Sequence, residues 1–215
     1  MNPADWRTYL VTQASLSEGR STQEVVRAAI DGGVDVVQLR EKEASARERY
    51  DLGVELRELT ERAGVDLLVN DRADIAEAID ADGVHLGQSD LPVPVARDLL
   101  GSEGIIGCST STVPEAKRAE AEGADYLGVG AVYVTESKAV ADEDSGIGPE
   151  RVREIAEAVS IPIVGIGGIT AENAPPVIEA GATSVAVISE ITAADDPTGA
   201  TAGLSDAVRE GENRT

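Results

Sequence analysis

The sequence predicts a single-domain (β/α)8 barrel, a TIM barrel, and three observations carry that expectation. Short apolar runs alternate with longer segments of 3.6-residue periodicity, the pattern of βαβ units around a parallel sheet. Eight such runs can be counted, more than the five or six strands, roughly, of an open doubly wound sheet. The phrases AGVDLLV, EGADYLGVG and AGATSVAV repeat one unit: helix end, glycine turn, strand start. The length of 215 residues sits at the low end for such a barrel, and an apolar fraction of 42% can fill one core.

The runs are Thr8–Thr12, Val34–Arg40, Asp66–Asn70, Gly83–Gly87, Ile105–Ser109, Tyr126–Ala131, Pro162–Gly167 and Ser184–Ser189. Helical periodicity fills Thr22–Asp31, Ala44–Ala63, Pro114–Glu122 and Pro149–Ser160, and several of these stretches run into a Gly suited to a helix C-terminus. From Val132 to Gly148 the chain is acidic and aperiodic. In a barrel that stretch falls at the C-terminal rim, as a lid or as an acidic insertion. Past Val208 the chain turns polar, and 209–215 is expected to fray.

Forty acidic residues against 18 basic ones leave a formal net charge of −22. Nucleic acid and anionic lipid are repelled by such a surface, so neither is an expected partner. Small-molecule substrates are expected instead, with a homo-oligomer left open. Adaptation to high salt is the expected reason for the charge, because molar ionic strength shrinks the Debye length to about 3 Å, and an ordinary acidic protein is the alternative. No apolar run approaches the roughly 20 residues of a membrane span. The first residues, Met1 to Trp6, show no basic stretch followed by an apolar one, so a cytoplasmic protein is expected. Cys108 is the one cysteine, which excludes an intrachain disulfide or a cysteine-based metal cluster.

The unusual polar residues fall at the C-terminal ends of the predicted strands, the face on which barrel active sites form. Gln38, Arg40 and Lys42 alternate and so project to one side while Leu39 points to the other. Two cations on one rim of so acidic a chain suit a multiply charged anion, Arg as a planar fork and Lys as a point charge. Asp71 and Asp90 follow adjacent strands and could share one Mg2+, which is commonly held by one or two carboxylates; each could equally cap a following helix. His85 is the sole histidine, and a lone strand histidine is more often hydrogen-bonded structure than catalyst. Gly165 to Ile169, with Ala186 to Ser189, matches the barrel phosphate site built from backbone N–H groups.

Five segments in order, Gln38–Lys42, Asn70–Arg72, Asp82–Asp90, Gly123–Gly130 and Ile163–Ile169, together resemble the thiamine-phosphate synthase family. The resemblance runs from about Tyr9 to Ser189. It implies a transferase of thiamine biosynthesis that joins a pyrimidine methyl diphosphate to a thiazole phosphate and releases diphosphate with Mg2+. It further implies that Gln38, Leu39, Arg40, Glu41, Lys42, Asn70, Ser109 and Lys138 hold the pyrimidine diphosphate, with Arg40, Lys42 and Lys138 stabilising the departing charge. Asp71 and Asp90 would hold Mg2+. Thr135, Glu136, Ser137, Gly168, Ile188 and Ser189 would meet the thiazole phosphate. In the loop after strand six, Ala131 and Val134 stand where relatives commonly carry proline, and Ser137 stands for a usual Thr. Two alternatives remain: a tautomerase-like paralogue acting on a thiazole phosphate, and a non-catalytic phosphate-binding barrel.

Overall fold

The computed structural model describes residues 2–134 and 146–214. Eight parallel strands close into a barrel in sequence order. They are β1 (Thr8–Val11), β2 (Val36–Leu39), β3 (Asp66–Asn70), β4 (Gly83–Leu86), β5 (Ile105–Thr110), β6 (Tyr126–Gly130), β7 (Ile163–Ile166) and β8 (Ser184–Val187). Pairing of β1 with β8, Tyr9 opposite Ala186, completes the ring. The helices are α1 (Thr22–Asp31), α2 (Ala46–Ala63), α3 (Ala73–Ala78), α4 (Val93–Leu100), α5 (Val113–Ala121), α6 (Gly148–Ala156), α7 (Ala174–Glu179), α8 (Ser189–Thr192) and α9 (Pro197–Glu212).

Local chemistry starts and stops these elements. Ser21, Ser45 and Thr112 each accept from the backbone N–H three residues on, while Glu24, Glu48 and Glu115 reach back, so α1, α2 and α5 open with complete capping boxes. α2 ends where Gly64 turns left-handed at φ 69°. The repeated glycine-turn phrase also has a physical use. Asp125 of EGADYLGVG accepts from the Ile106 N–H, and aspartates before two other strands bond likewise: Asp35 accepts from the Arg7 and Thr8 N–H groups, and Asp82 from Leu67. These bonds lie at the N-terminal face of the barrel, the face that serves stability.

Two apolar layers result. The larger packs the outer face of the strands against the helices and contains Leu39, Val37, Leu127 and Val185. The smaller fills the barrel itself with Trp6, Tyr9, Val11, Val36, Leu68, Ile105, Tyr126, Val164, Ala186 and Ile188. Trp6 meets both Tyr9 and Tyr126 edge-on, at centroid distances of 5.8 and 5.1 Å. Room for these rings comes from glycine: a Cβ on Gly107 would lie 2.1 Å from Tyr126 Cζ, and one on Gly128 would lie 2.7 Å from His85 Cε1. Gly107→Ala therefore overpacks a ring already held on several sides. A loss of about 1–3 kcal/mol is expected. Thermal unfolding checks it, and a wild-type Tm would show that Tyr126 has slack.

The eight expected strands are present, within two residues of the expected bounds at every end, with β5 running one residue further to Thr110. The expectation of fraying over 209–215 is corrected as far as Glu212. There the chain is helical, with Gly211 buried against Ile178 and Pro175 and Glu212 paired to Arg7 at 3.0 Å. Among the described residues no helix is long and apolar enough to cross a membrane. Most of the aperiodic stretch between Val132 and Gly148 lies outside the described residues; Val132 and Gly148 themselves pair by a backbone bond of 2.9 Å.

Candidate active site

Alternation along β2 puts Gln38 and Arg40 on the inside and Leu39 in the outer core. Gln38 and Arg40 line a small recess in the barrel mouth together with Tyr9, Asn70, His85 and Tyr126. Arg40 is 6% exposed. Its Nη1 donates to Gln13 Oε1 at 2.6 Å, and its backbone N–H donates to Thr12 Oγ1 at 3.0 Å. Burial lowers its pKa below the ordinary arginine value, and the charges of Asp71 and Glu41 oppose that shift. Lys42 stands exposed at the rim.

Two side chains of this segment are engaged elsewhere in the fold. The Leu39 side chain lies in the outer core, away from the cavity. Glu41 is spent on the scaffold: its carboxylate accepts from the Ala14 N–H at 2.9 Å and from Thr22 Oγ1 at 3.1 Å, bracing the loop after β1 against α1.

Asp71 and Asp90 come together across the ends of β3 and β4, within hydrogen-bonding reach of each other. Burial first, and the Asp90 carboxyl second, raise the Asp71 pKa, while Lys42 and Arg40 pull it down. The helix-capping alternative fails for both. α3 is capped at Arg72 and α4 at Pro92, neither with a side-chain bond. Asp90 instead accepts from the Gly87 N–H at 2.6 Å, and Asp71 adopts a left-handed φ of 63° with its N–H on the His85 carbonyl at 2.8 Å. Two adjoining carboxylates outside any ion pair among the described residues are a donor set that fits one hard divalent cation sharing the rest of its shell with phosphate and water. No cluster of three or more metal-binding side chains occurs among the described residues.

Asn70, at the end of β3, faces the cavity beside His85. Ser109 of β5 bonds through Oγ to His85 Nε2 at 2.8 Å. Its carbonyl takes a bond of 2.6 Å from Gln88 Nε2. Across the mouth, Gly167 and Gly168 bend with φ of 104° and 62°. With Ile188, Ser189 and Val134 they line a recess of about 680 Å3 that opens to solvent. A Cβ on Gly168 would meet the Val134 carbonyl oxygen at 2.6 Å, so only glycine lets the two loops approach this closely. Thr135, Glu136, Ser137 and Lys138 lie outside the described residues.

Comparison with known proteins agrees with this geometry. The family model described as thiamine monophosphate synthase matches residues 8–191. The chain belongs to that family. Thiamine-phosphate synthase from Haloarcula marismortui is 62% identical over 96% of this chain and 99% of its own. The Natronomonas pharaonis protein of the same name is 63% identical, covering 95% of both chains. Among solved structures, thiamine phosphate pyrophosphorylase from Pyrococcus furiosus superposes with a TM-score of 0.87 at 40% identity, over 97% of this chain and 98% of that one. Like its thiamine-phosphate synthase relatives, the chain is a transferase of thiamine biosynthesis.

Sequence reasoning passed over Tyr9 and Tyr126, which form the cavity floor. A signal existed. The chain has four tyrosines, one tryptophan and no phenylalanine, yet three of those five rings meet inside the barrel.

Proposed function

We propose that the chain joins an aminopyrimidine methyl diphosphate to a thiazole phosphate by a dissociative substitution at this rim, with one Mg2+. The observation that carries the reading is the Asp71–Asp90 pair, free of any capping role, beside the buried guanidinium of Arg40. Arg40 and Lys42 grip the diphosphate, and Asn70 and the Gln38–Ser109 floor hold the pyrimidine. Gly168, Ile188 and Ser189 take the thiazole phosphate; Thr135, Glu136, Ser137 and Lys138 are assigned by resemblance alone. Asp71 and Asp90 would hold Mg2+, which when bound would supply charge neutralisation on the diphosphate. The C–O bond breaks with its electron pair leaving on diphosphate, and the electron-rich aminopyrimidine carries the methylene cation. The thiazole nitrogen then donates its lone pair to form the C–N bond. No side-chain nucleophile or strong base is called for, so alignment and charge stabilisation are the protein's contribution.

The charge of −22 and the halophilic relatives support work in molar salt, so the assay belongs in molar KCl. Diphosphate release is expected only with both substrates and Mg2+ present. Proton exchange on the thiazole phosphate alone would support the tautomerase instead. Binding of both substrates without turnover would leave the silent barrel.

A further inference from the structure

Five side chains form one hydrogen-bonded chain across the cavity floor. Gln38 Nε2 donates to the Tyr9 hydroxyl at 2.6 Å. The Tyr9 and Tyr126 hydroxyls are 2.9 Å apart. His85 Nδ1 lies 2.8 Å from the Tyr126 hydroxyl, and His85 Nε2 lies 2.8 Å from Ser109 Oγ. The end groups, Gln38 and Ser109, were assigned to the pyrimidine; the three in the middle have had no role.

One proton per link gives such a chain a direction. Both phenols are fully buried, and burial raises their pKa well above the ordinary value, so each stays an O–H group with a single proton to give. Gln38 spends one of its two amide N–H groups on Tyr9. The Tyr9 proton then goes to Tyr126, and the Tyr126 proton goes to His85 Nδ1. His85 is left with its proton on Nε2, where it donates to Ser109 Oγ. Ser109 is therefore left with its own hydroxyl proton to donate elsewhere, while Gln38 keeps Oε1 as an acceptor. Turning the Gln38 amide over would reverse every link at once. The two ends are coupled: acceptor at Gln38 with donor at Ser109, or the opposite pair.

An aminopyrimidine has one donor, its exocyclic amine, and its ring nitrogens accept. Its edge matches this direction, whereas an oxo group in place of the amine matches the reversed one. We propose that Tyr9, Tyr126 and His85 are positioning residues that lock Gln38 as acceptor and Ser109 as donor, and so select the aminopyrimidine over its oxo counterpart. This selectivity rests on the function proposed above; the direction of the chain does not.

His85 is the only histidine, so 15N-histidine labelling yields a single imidazole spectrum. The expected result, in ligand-free wild-type protein, is a neutral ring protonated at Nε2 and bare at Nδ1. The Nδ1–H tautomer or an imidazolium overturns the relay, and this measurement involves no substitution that might disturb folding. Tyr9→Phe then cuts the chain and frees the Gln38 amide to turn. The ratio of kcat/KM for the amino diphosphate over its 4-oxo analogue is expected to fall at least about tenfold, with KM for the thiazole phosphate unchanged. A ratio equal to that of wild type overturns the selectivity. Wild-type protein that makes no thiamine phosphate overturns the proposed function instead, while product formation with the wrong tautomer overturns only the relay.

Discussion

Asp71→Asn and Asp90→Asn are each expected to lose turnover by more than about a hundredfold while folding normally, because each removes one charge from the proposed cation site and little else. Asn suits both positions. At Asp71 the backbone sits at φ 63°, a left-handed conformation that Asn tolerates about as well as Asp. At Asp90 the amide oxygen can still accept from the Gly87 N–H, so the turn survives. The stability readout runs opposite to the activity. Asp71 is raised by burial and by Asp90, so its ionised form is penalised in the folded chain, and a neutral amide relieves that penalty. Without Mg2+, Tm of Asp71→Asn should equal or exceed that of wild type. Adding Mg2+ with diphosphate should raise the wild-type Tm by mass action and leave both variants unmoved. Turnover near wild type in both variants would remove these residues from the metal site.

The parts of the fold that were legible are those written in local pattern. The Gly–x–Asp phrases at Asp35 and Asp125 announce strand starts because the aspartate bonds a neighbouring strand's backbone, and Asp82 makes the same kind of bond after Asp80-Ala81. The inward parity of Gln38 and Arg40 follows from strand alternation alone. Long-range partners were not legible. Glu41 reads as part of a ligand-binding run, yet its carboxylate is consumed by Ala14 and Thr22, contacts that exist only once α1 packs beside β2. Asp71 and Asp90 could not be told from helix caps by spacing, and only the observed bonds show that neither caps its helix. The polar tail reads as frayed because its sequence lacks periodicity, but Gly211 fits closely against α7, and the contact carries the helix to Glu212. The relay through Tyr9, Tyr126 and His85 joins three strands far apart in sequence, so no local pattern could reveal it.

Arg40 carries the second large effect, and burial distinguishes it from its neighbour Lys42. If the guanidinium stabilises charge on the departing diphosphate, Arg40→Met lowers kcat and kcat/KM for the pyrimidine diphosphate together, by about 10²- to 10³-fold. Arg40→Lys should recover only part of this, since an ammonium cannot hold Gln13 Oε1 and a phosphate oxygen in the fixed fork that Arg presents. Salt separates the two cations. Exposed charges are screened within about 3 Å at molar ionic strength, whereas a buried one is screened much less. Arg40 is 6% exposed and Lys42 lies at the open rim. The deficit of Arg40→Met should therefore stay constant as KCl is raised through the molar range, while that of Lys42→Ala should shrink. Equal salt sensitivity in the two variants would mean that Arg40 reaches the diphosphate only through solvent, and its buried bond to Gln13 would then be a structural contact alone.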